Sequence, residues 1–388
     1  MFIFVSMKMT LILSLPATVC TIMAFLLILN LLSKWNKPQF KLLVFMLVSM
    51  LLYTAHFFFF KGLTYAIPFS DTIYCFCNPA VYPLFYIYVE ELTVRHPNRL
   101  RHFFYLLPAL VCFVAVGGLY LMMSQSETTH FIERYLYHDE YTPLQGLEWW
   151  QGIAHLVVKI VFALEIPPVL YYGWKRISEY NHIVENNYSD IEDKAVSSLR
   201  PLLILLAGAS IVSFICNAVG RYHFSEIDWL VIIPAAVFSL LFLLIGHVGL
   251  NQQFSACDME WDLYSPEDYG SEYTNELSSK LVRLLNEEQF YLKPNLKIND
   301  LARRLNTNRN YIYNAINVEM GISFSELINR KRIDYAVRMI DEYPTKHLNE
   351  VAVESGFSSI STFYRNFKLY RRCSPSDFQL EVIRKQKL

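Results

Sequence analysis

LNEVAVESGFSSISTFYRNFKLYRRCSP, residues 348–375, is a polar, basic stretch with apolar positions at helical spacing. Val351 and Ala352 form one pair and Phe363 and Phe367 another, with Ser355-Gly356-Phe357 between them where a turn belongs. The pattern also occurs earlier, in INDLARRLNTNRNYIYNAINVEMG, residues 298–321. Leu301-Ala302 stands for Val351-Ala352, Leu305-Asn306-Thr307 for the turn, and Ile312 and Ile316 for the two phenylalanines. The offset is 50 before the turn and 51 after it, so the second copy carries one more residue there. Ala302 is small, as a close helix crossing requires, and Asn308 is placed to cap the next helix. Each copy therefore predicts a helix-turn-helix unit. SELINRKRIDYAVRMIDEY, residues 325–343, predicts the helix that joins them, with Leu327, Ile328, Tyr335, Ala336 and Met339 facing the core. LSSKLVRLLNEEQ opens a further helix, with Leu277, Leu281, Leu284 and Leu285 on one stripe, and Pro294 ends it.

The chain ahead of this region is of another kind. The 388 residues are 54% hydrophobic and only 18% charged, against about 45–50% and about 25% for soluble domains. Seven runs approach the ~20 apolar residues of a membrane helix: roughly 10–33, 41–61, 71–91, 102–123, 151–174, 201–220 and 228–249. The first is too long for the apolar part of a signal peptide, and no clear cleavage site follows it. The third holds Pro79 and Pro83 and is the weakest. Loops after the first, third and fifth runs carry ten Lys and Arg, and the opposite side carries four. The positive-inside rule then puts the N-terminus outside and the C-terminal tail in the cytoplasm.

The expected fold class is all-α: a seven-helix transmembrane bundle over 1–249, an acidic flexible linker over 250–273 and an all-helical domain over 274–388. The linker has six acids and no Lys or Arg, and as a coil it spans about 27 Å. Residues 273–388 hold 19 Lys and Arg beside 13 Asp and Glu, whereas the whole chain is −1. A basic end on a neutral chain points to a polyanionic partner or an anionic membrane surface.

Residues 274 to about 380 resemble the DNA-binding domain of AraC-type (AraC/XylS) transcription regulators, here fused to a multi-span membrane region. The residues carrying the resemblance are Leu301-Ala302, Gly321 with Ser323-Phe324, Arg332 and Ala336, Val351-Ala352, Gly356-Phe357, Phe363, Phe367-Lys368, and Ser374-Pro375 with Phe378. It covers just over a quarter of the chain. It implies that each recognition helix enters a major groove and that the joining helix sets their separation. A joining helix of 17–19 residues is roughly 25–28 Å long, and adjacent grooves on one face lie about 34 Å apart, so the flanking units must supply the remainder. Base-contact candidates are Asn310, Tyr313 and Asn314 in the first unit and Ser361, Thr362 and Arg365, read as exposed, in the second. Arg309, Arg330, Lys331, Lys368, Arg371 and Arg372 are candidates for phosphate contacts. The sequence departs from the pattern at Asn314 and Asn317, where many relatives are basic, at Arg372, a usual glycine, and at Gln379, a usual arginine.

The fifth run places His155, Lys159 and Glu165 in an apolar setting. Buried ionisable groups in membranes face a partner or a wet cavity, which makes these three the signal-sensing candidates. Pro167-Pro168 is expected to kink or break the helix just beyond. The outer loop 124–149 offers His130, Glu133, His138 and Asp139 for a ligand or metal, or serves as an interfacial cap with Trp149 and Trp150. The seven cysteines form no CxxC pair and no zinc spacing. No nucleophile–base set stands out, so neither an enzyme nor a cofactor is expected. The expected function is a membrane-bound one-component regulator of the bacterial inner membrane. Its expected partners are promoter DNA, the lipid bilayer, a small-molecule or envelope signal, a second copy in a homodimer and, for an activator, RNA polymerase. The rivals are a transporter or membrane enzyme with a regulatory tail, and a membrane tether whose tail binds protein.

Overall fold

The computed structural model describes residues 7–137, 144–219, 228–259 and 271–386. His138, Asp139 and residues 260–270 of the expected linker lie outside them. Among the described residues the chain is helical, with no strand and one isolated bridge between Tyr188 and Lys297. It divides into two compact units, Met1–Ser178 with Val196–Asp258, and Glu179–Ala195 with Met259–Leu388.

The first unit is built from α1 (Met7–Ser33), α2 (Lys37–Phe60), α3 (Ile67–Thr93), α4 (Arg99–Met122), α5 (Gln125–His130), α6 (Gly146–Asn187), α7 (Leu199–Val219) and α8 (Asp228–Asn251). Residues of α6 from Glu179 onward belong to the second unit. Side-chain caps set several starts: Asn36 accepts from the Gln39 amide, Asn98 from the Leu100 amide, and Ser124 and Glu127 form a capping box. Each of the seven expected apolar runs falls on a helix. Five of the described helices (α1, α2, α4, α6 and α8) are long and apolar enough to cross a membrane. In α7 the apolar stretch is the shorter Leu199–Ile215.

The third run, α3, does not join the five for a physical reason. It packs between α2 and α4 and is buried along nearly its whole length, including Asp71, Asn78, Glu90 and Glu91. A helix that shows no outer face needs no uniformly apolar surface. The outward faces of its neighbours are apolar instead: Val114, Leu121, Leu164 and Ile204 are each more than 60% exposed. Contiguous exposed hydrophobic surface of this kind is foreign to a soluble monomer. Pro167 and Pro168 do not break α6, which runs as one helix through both. Proline removes one donor and holds φ near the helical value, so a long helix can continue through it when neighbouring helices support it.

The second unit holds α9 (Ser271–Asn286), α10 (Ile298–Arg304), α11 (Arg309–Tyr313), α12 (Phe324–Glu342), α13 (Leu348–Glu354), α14 (Ile360–Arg371) and α15 (Pro375–Gln386). The stripe Leu277, Leu281, Leu284 and Leu285 is buried against Leu301, Ala302, Ile312, Ile316 and Ile328, which makes the first helix-turn-helix core. The second core gathers Ile333, Ala336, Met339, Val351, Ala352, Phe357, Phe363 and Phe367. Helix α12 contributes to both, so its one buried stripe joins the two units.

The repeat is visible in the turns. Asn306 and Gly356 occupy matching positions, and both have positive φ, 50° and 84°. Asparagine tolerates that conformation. At 356 only glycine fits, because an added Cβ would lie 2.5 Å from the Leu292 carbonyl oxygen. Arg372 caps α14 in the left-handed conformation, φ 61°, where the resembled domains carry glycine. Gly356→Ala is expected to destabilise the second unit by about 2 kcal/mol or more, from strain and clash together. Arg372→Gly should raise stability by up to about 1 kcal/mol by relieving the same conformation. Thermal unfolding of the detergent-solubilised chain, followed by circular dichroism, tests both substitutions.

Candidate nucleic-acid interface

Recognition by a helix-turn-helix unit depends on which side chains the second helix leaves outside its core. In the second unit Ser359 caps α14, its hydroxyl accepting from the Thr362 amide at 3.1 Å. Phe363 and Phe367 then face the core, and Ser361, Arg365 and Lys368 point outward and are exposed. Thr362, expected on the exposed face, is buried. Its hydroxyl lies between the Ser359 hydroxyl at 2.8 Å and the carboxylate of Glu192, to which it donates. The Glu192 carboxylate also receives the Arg365 guanidinium at 3.1 Å. Two of the three base-contact candidates of α14 thus bond one acidic side chain of the same unit.

The first unit differs. Helix α11 is only Arg309–Tyr313, capped by the Asn308 side chain on the Asn310 amide, and it continues as a π-helical turn over Asn314–Glu319. Such turns are rare and are frequent at functional sites. Asn314 is exposed, and Asn310 and Tyr313 are half-buried, with Tyr313 packed against the first core. Asn317 donates to the Tyr313 carbonyl oxygen at 3.2 Å, which ties it to its own helix.

The phosphate candidates also divide. Arg330, Lys368 and Arg372 are exposed. Arg371 is paired with Asp334 at 2.9 Å, and Lys331 donates to the Asn286 side chain at 2.7 Å. Arg309 is half-buried at the start of α11. Gln379 bonds the Lys346 carbonyl oxygen at 2.7 Å and so fixes α15 to the turn ahead of α13.

Glu192 is held in place by the segment around it. Tyr188 bridges to Lys297, and the Ser189 amide donates to the Leu296 carbonyl oxygen at 3.0 Å. The Asn329 side chain donates to the Ser189 carbonyl oxygen at 2.9 Å, and Asp190 accepts from the Asn295 amide at 3.1 Å. The other Asp190 oxygen meets Arg332, which is fully buried, at 3.3 Å. The Arg332 guanidinium also donates to the Tyr291 and Lys293 carbonyl oxygens, both at 2.8 Å, and lies over the Phe357 ring. Burial pushes its pKa down from the ordinary value and Asp190 pulls it back up. Sequence reading gave no role to Asp190 and Glu192. Their signal was the run Asp190-Ile191-Glu192-Asp193, an acidic patch inside a loop otherwise counted for its Lys and Arg.

In the first unit, His155 is buried, and its Nδ1 lies 2.8 Å from the Gln151 carbonyl oxygen, an acceptor, so Nδ1 carries a proton. Its Nε2 meets Asp71 Oδ2 at 2.7 Å, and the Tyr120 hydroxyl donates to the same oxygen at 2.9 Å. Asp71, Cys75 and His155 bring O, S and N donor atoms within 4.8 Å of one another, a set suited to a divalent transition-metal ion. Lys159 is exposed, and Glu165 keeps both carboxylate oxygens buried without a hydrogen-bond partner. Glu165 lines a groove with Tyr86, Arg101, Tyr105 and Arg176, apart from the His155 cluster. At the start of α6 Glu148 pairs with His130 at 3.0 Å, and Trp149 and Trp150 are exposed.

Residues 301–381 match the family described as a helix-turn-helix domain. Over 87 residues the chain is 32% identical to an Msm operon regulatory protein of Streptococcus mutans, a match covering 22% of this chain and 31% of that protein. It is 30% identical over 111 residues to an uncharacterized response regulatory protein of Staphylococcus epidermidis, covering 29% of this chain and 41% of the other. An uncharacterized HTH-type transcriptional regulator of Staphylococcus aureus is 21% identical over 116 residues, 30% of this chain and 15% of its own length. The chain thus spans well under half the length of these curated relatives. No solved structure matches.

Arg365→Ala is expected to weaken binding to a preferred DNA site by about 1–3 kcal/mol and to relax the preference at one base pair. Competition titrations at fixed salt, with each base pair of the site varied in turn, check this.

Proposed function

We propose that the chain is a membrane-held, one-component transcription regulator of AraC type, whose two helix-turn-helix units read promoter DNA under control of a signal received in the apolar unit. The observation that carries this reading is the repeat itself. Two helix-turn-helix cores share one helix, α12, and each presents an outward face with Asn, Ser or Arg side chains suited to base edges. The helix-turn-helix match at 301–381 and the regulator relatives support it. Five apolar helices with apolar outer faces in the same chain support the membrane part.

The orientation has support from two sides. The excess of Lys and Arg supports a cytoplasmic loop after α6 and a cytoplasmic C-terminal tail. The end of α6 from Glu179 and the segment after it to Ala195 group with the tail in one compact unit, which supports both lying on the same side of a membrane. Asn310, Tyr313, Asn314, Ser361 and Arg365 are the proposed base contacts, and Arg309, Arg330, Lys331, Lys368, Arg371 and Arg372 the proposed phosphate contacts. The proposed signal entry is the apolar unit, at His155 with Asp71 or at the Glu165 groove. A homodimer would double the contacts, and an activator would also meet RNA polymerase.

The test uses the full-length chain in a bacterial membrane, with DNA crosslinked in cells, recovered with the protein and sequenced. The expected result is a discrete motif with two elements about one helical turn apart, with the preference relaxed at one position of one element on Arg365→Ala. Recovery of DNA without a motif, unchanged by Arg365→Ala, would leave the tail as a tether or a protein-binding module.

A further inference from the structure

We propose that Glu192 is an intramolecular occupant of the DNA-reading face, so that the second helix-turn-helix unit is closed to DNA until the segment Tyr188–Ala195 gives way. This rests on the DNA-binding reading above and adds its regulation.

Glu192 takes the Arg365 guanidinium, the longest donor on the outer face of α14, and covers the buried Thr362 beside it. Arg365 reaches one carboxylate oxygen and the Thr362 hydroxyl the other. Guanine would present two acceptors, O6 and N7, to the same guanidinium. A carboxylate supplies acceptors of the same kind with a full negative charge, and charge-assisted bonds are the stronger ones. The same donors cannot serve Glu192 and DNA at once. A carboxylate left on that face would also lie among the phosphates of a bound duplex and oppose it by charge.

The contact is built, not a chance meeting of two long side chains. Asp190, two residues earlier, is fixed by buried Arg332 and the Asn295 amide, and Ser189 by the Leu296 carbonyl oxygen and the Asn329 side chain. These bonds put the segment on α12 and on the backbone ahead of α10, and they leave Glu192 one short step away, over α14. Thr362, whose amide donates to the Ser359 cap and whose hydroxyl meets Glu192, is 2% exposed. Arg365 itself remains half exposed, so the closure is polar and reversible.

The segment is an insertion between α6 and α7, and covalent chain leads from each of its ends into a helix of the apolar unit. A ligand that favours a different setting of α6 would move Tyr188 and Ser189 first, since they directly follow Asn187. Loss of those anchors frees Glu192. The effector then acts by differential affinity for the closed and open forms, as any such switch must. If the open form is a tenth of the population, apparent DNA affinity is about tenfold below its intrinsic value.

The experiment uses the full-length chain in nanodiscs and a random-sequence duplex library, from which the wild type and Glu192→Gln each select their sites at fixed salt. A labelled duplex of the selected sequence then gives the affinities of wild type, Glu192→Gln, Asp193→Asn and Arg365→Ala. Asp193 is the exposed acidic neighbour, so Asp193→Asn removes the same charge at nearly the same place. Glu192→Gln is expected to bind about tenfold tighter, and Asp193→Asn less than about twofold tighter. Equal gains for both variants would mean general repulsion and would overturn the clamp. Unchanged affinity on Glu192→Gln, with binding still weakened on Arg365→Ala, would overturn the clamp alone. A library yielding no selected sequence with any form would overturn the DNA-binding reading, and the clamp with it.

Discussion

The second unit depends on a buried arginine. Arg332 sits on α12 between the two helix-turn-helix cores, fully removed from solvent. A guanidinium in that position is tolerable only if every donor finds an acceptor and its charge finds a partner. Two backbone carbonyls ahead of α10, the Asn329 side chain and the Asp190 carboxylate meet that demand, and the Phe357 ring covers one face. Three parts of the sequence are therefore fixed by one side chain: the first helix-turn-helix unit, the second, and a segment more than a hundred residues upstream. Removing Asp190 would leave an uncompensated buried charge, so the upstream segment is a structural part of this unit.

The two helix-turn-helix copies are alike in core and unlike at the surface. Their cores use the same spacing, and their turns use the same left-handed position, filled by Asn306 in one and Gly356 in the other. The recognition helix of the first copy ends in a π turn, while that of the second is a regular helix of 12 residues. Asn314 and Asn317 lie within that π turn, whose wider spacing sets their side chains differently from a regular helix. The second copy carries the one arginine suited to bidentate base reading on its outer face, and it is the copy that Glu192 covers. On the proposed reading, control and sequence preference fall on the same few atoms.

The apolar unit inverts the usual arrangement. Its outer faces are apolar, while α3, in its interior, carries Asp71, Asn78, Glu90 and Glu91 among close-packed neighbours. Two of these acids have side-chain partners: Asp71 meets His155 and Tyr120, and Glu90 meets His102 at 3.0 Å. Placing these polar groups of α3 inside the bundle is compatible with a low-dielectric surrounding.

Much of this was legible in the sequence, because periodicity reports burial directly. The Leu277 stripe, the paired Val351-Ala352 and Phe363-Phe367 positions and the repeat offset each marked a helix face that the structure buries. The apolar runs marked helices for the same reason: about twenty apolar residues have few other uses. Glycine at 356 was readable as a turn, though not the approach of the Leu292 carbonyl that makes it obligatory. What only tertiary structure decided were the contacts between residues distant in the chain. His155 was singled out, but its partner Asp71 lies 84 residues away. Thr362 has the spacing of an outward-facing residue, and nothing in its own helix announces Glu192, 170 residues upstream. Local pattern fixes which face of a helix turns inward, but it cannot say which distant segment covers the face left outside. That choice was made by the buried charge of Arg332, which needed Asp190 and brought Glu192 with it.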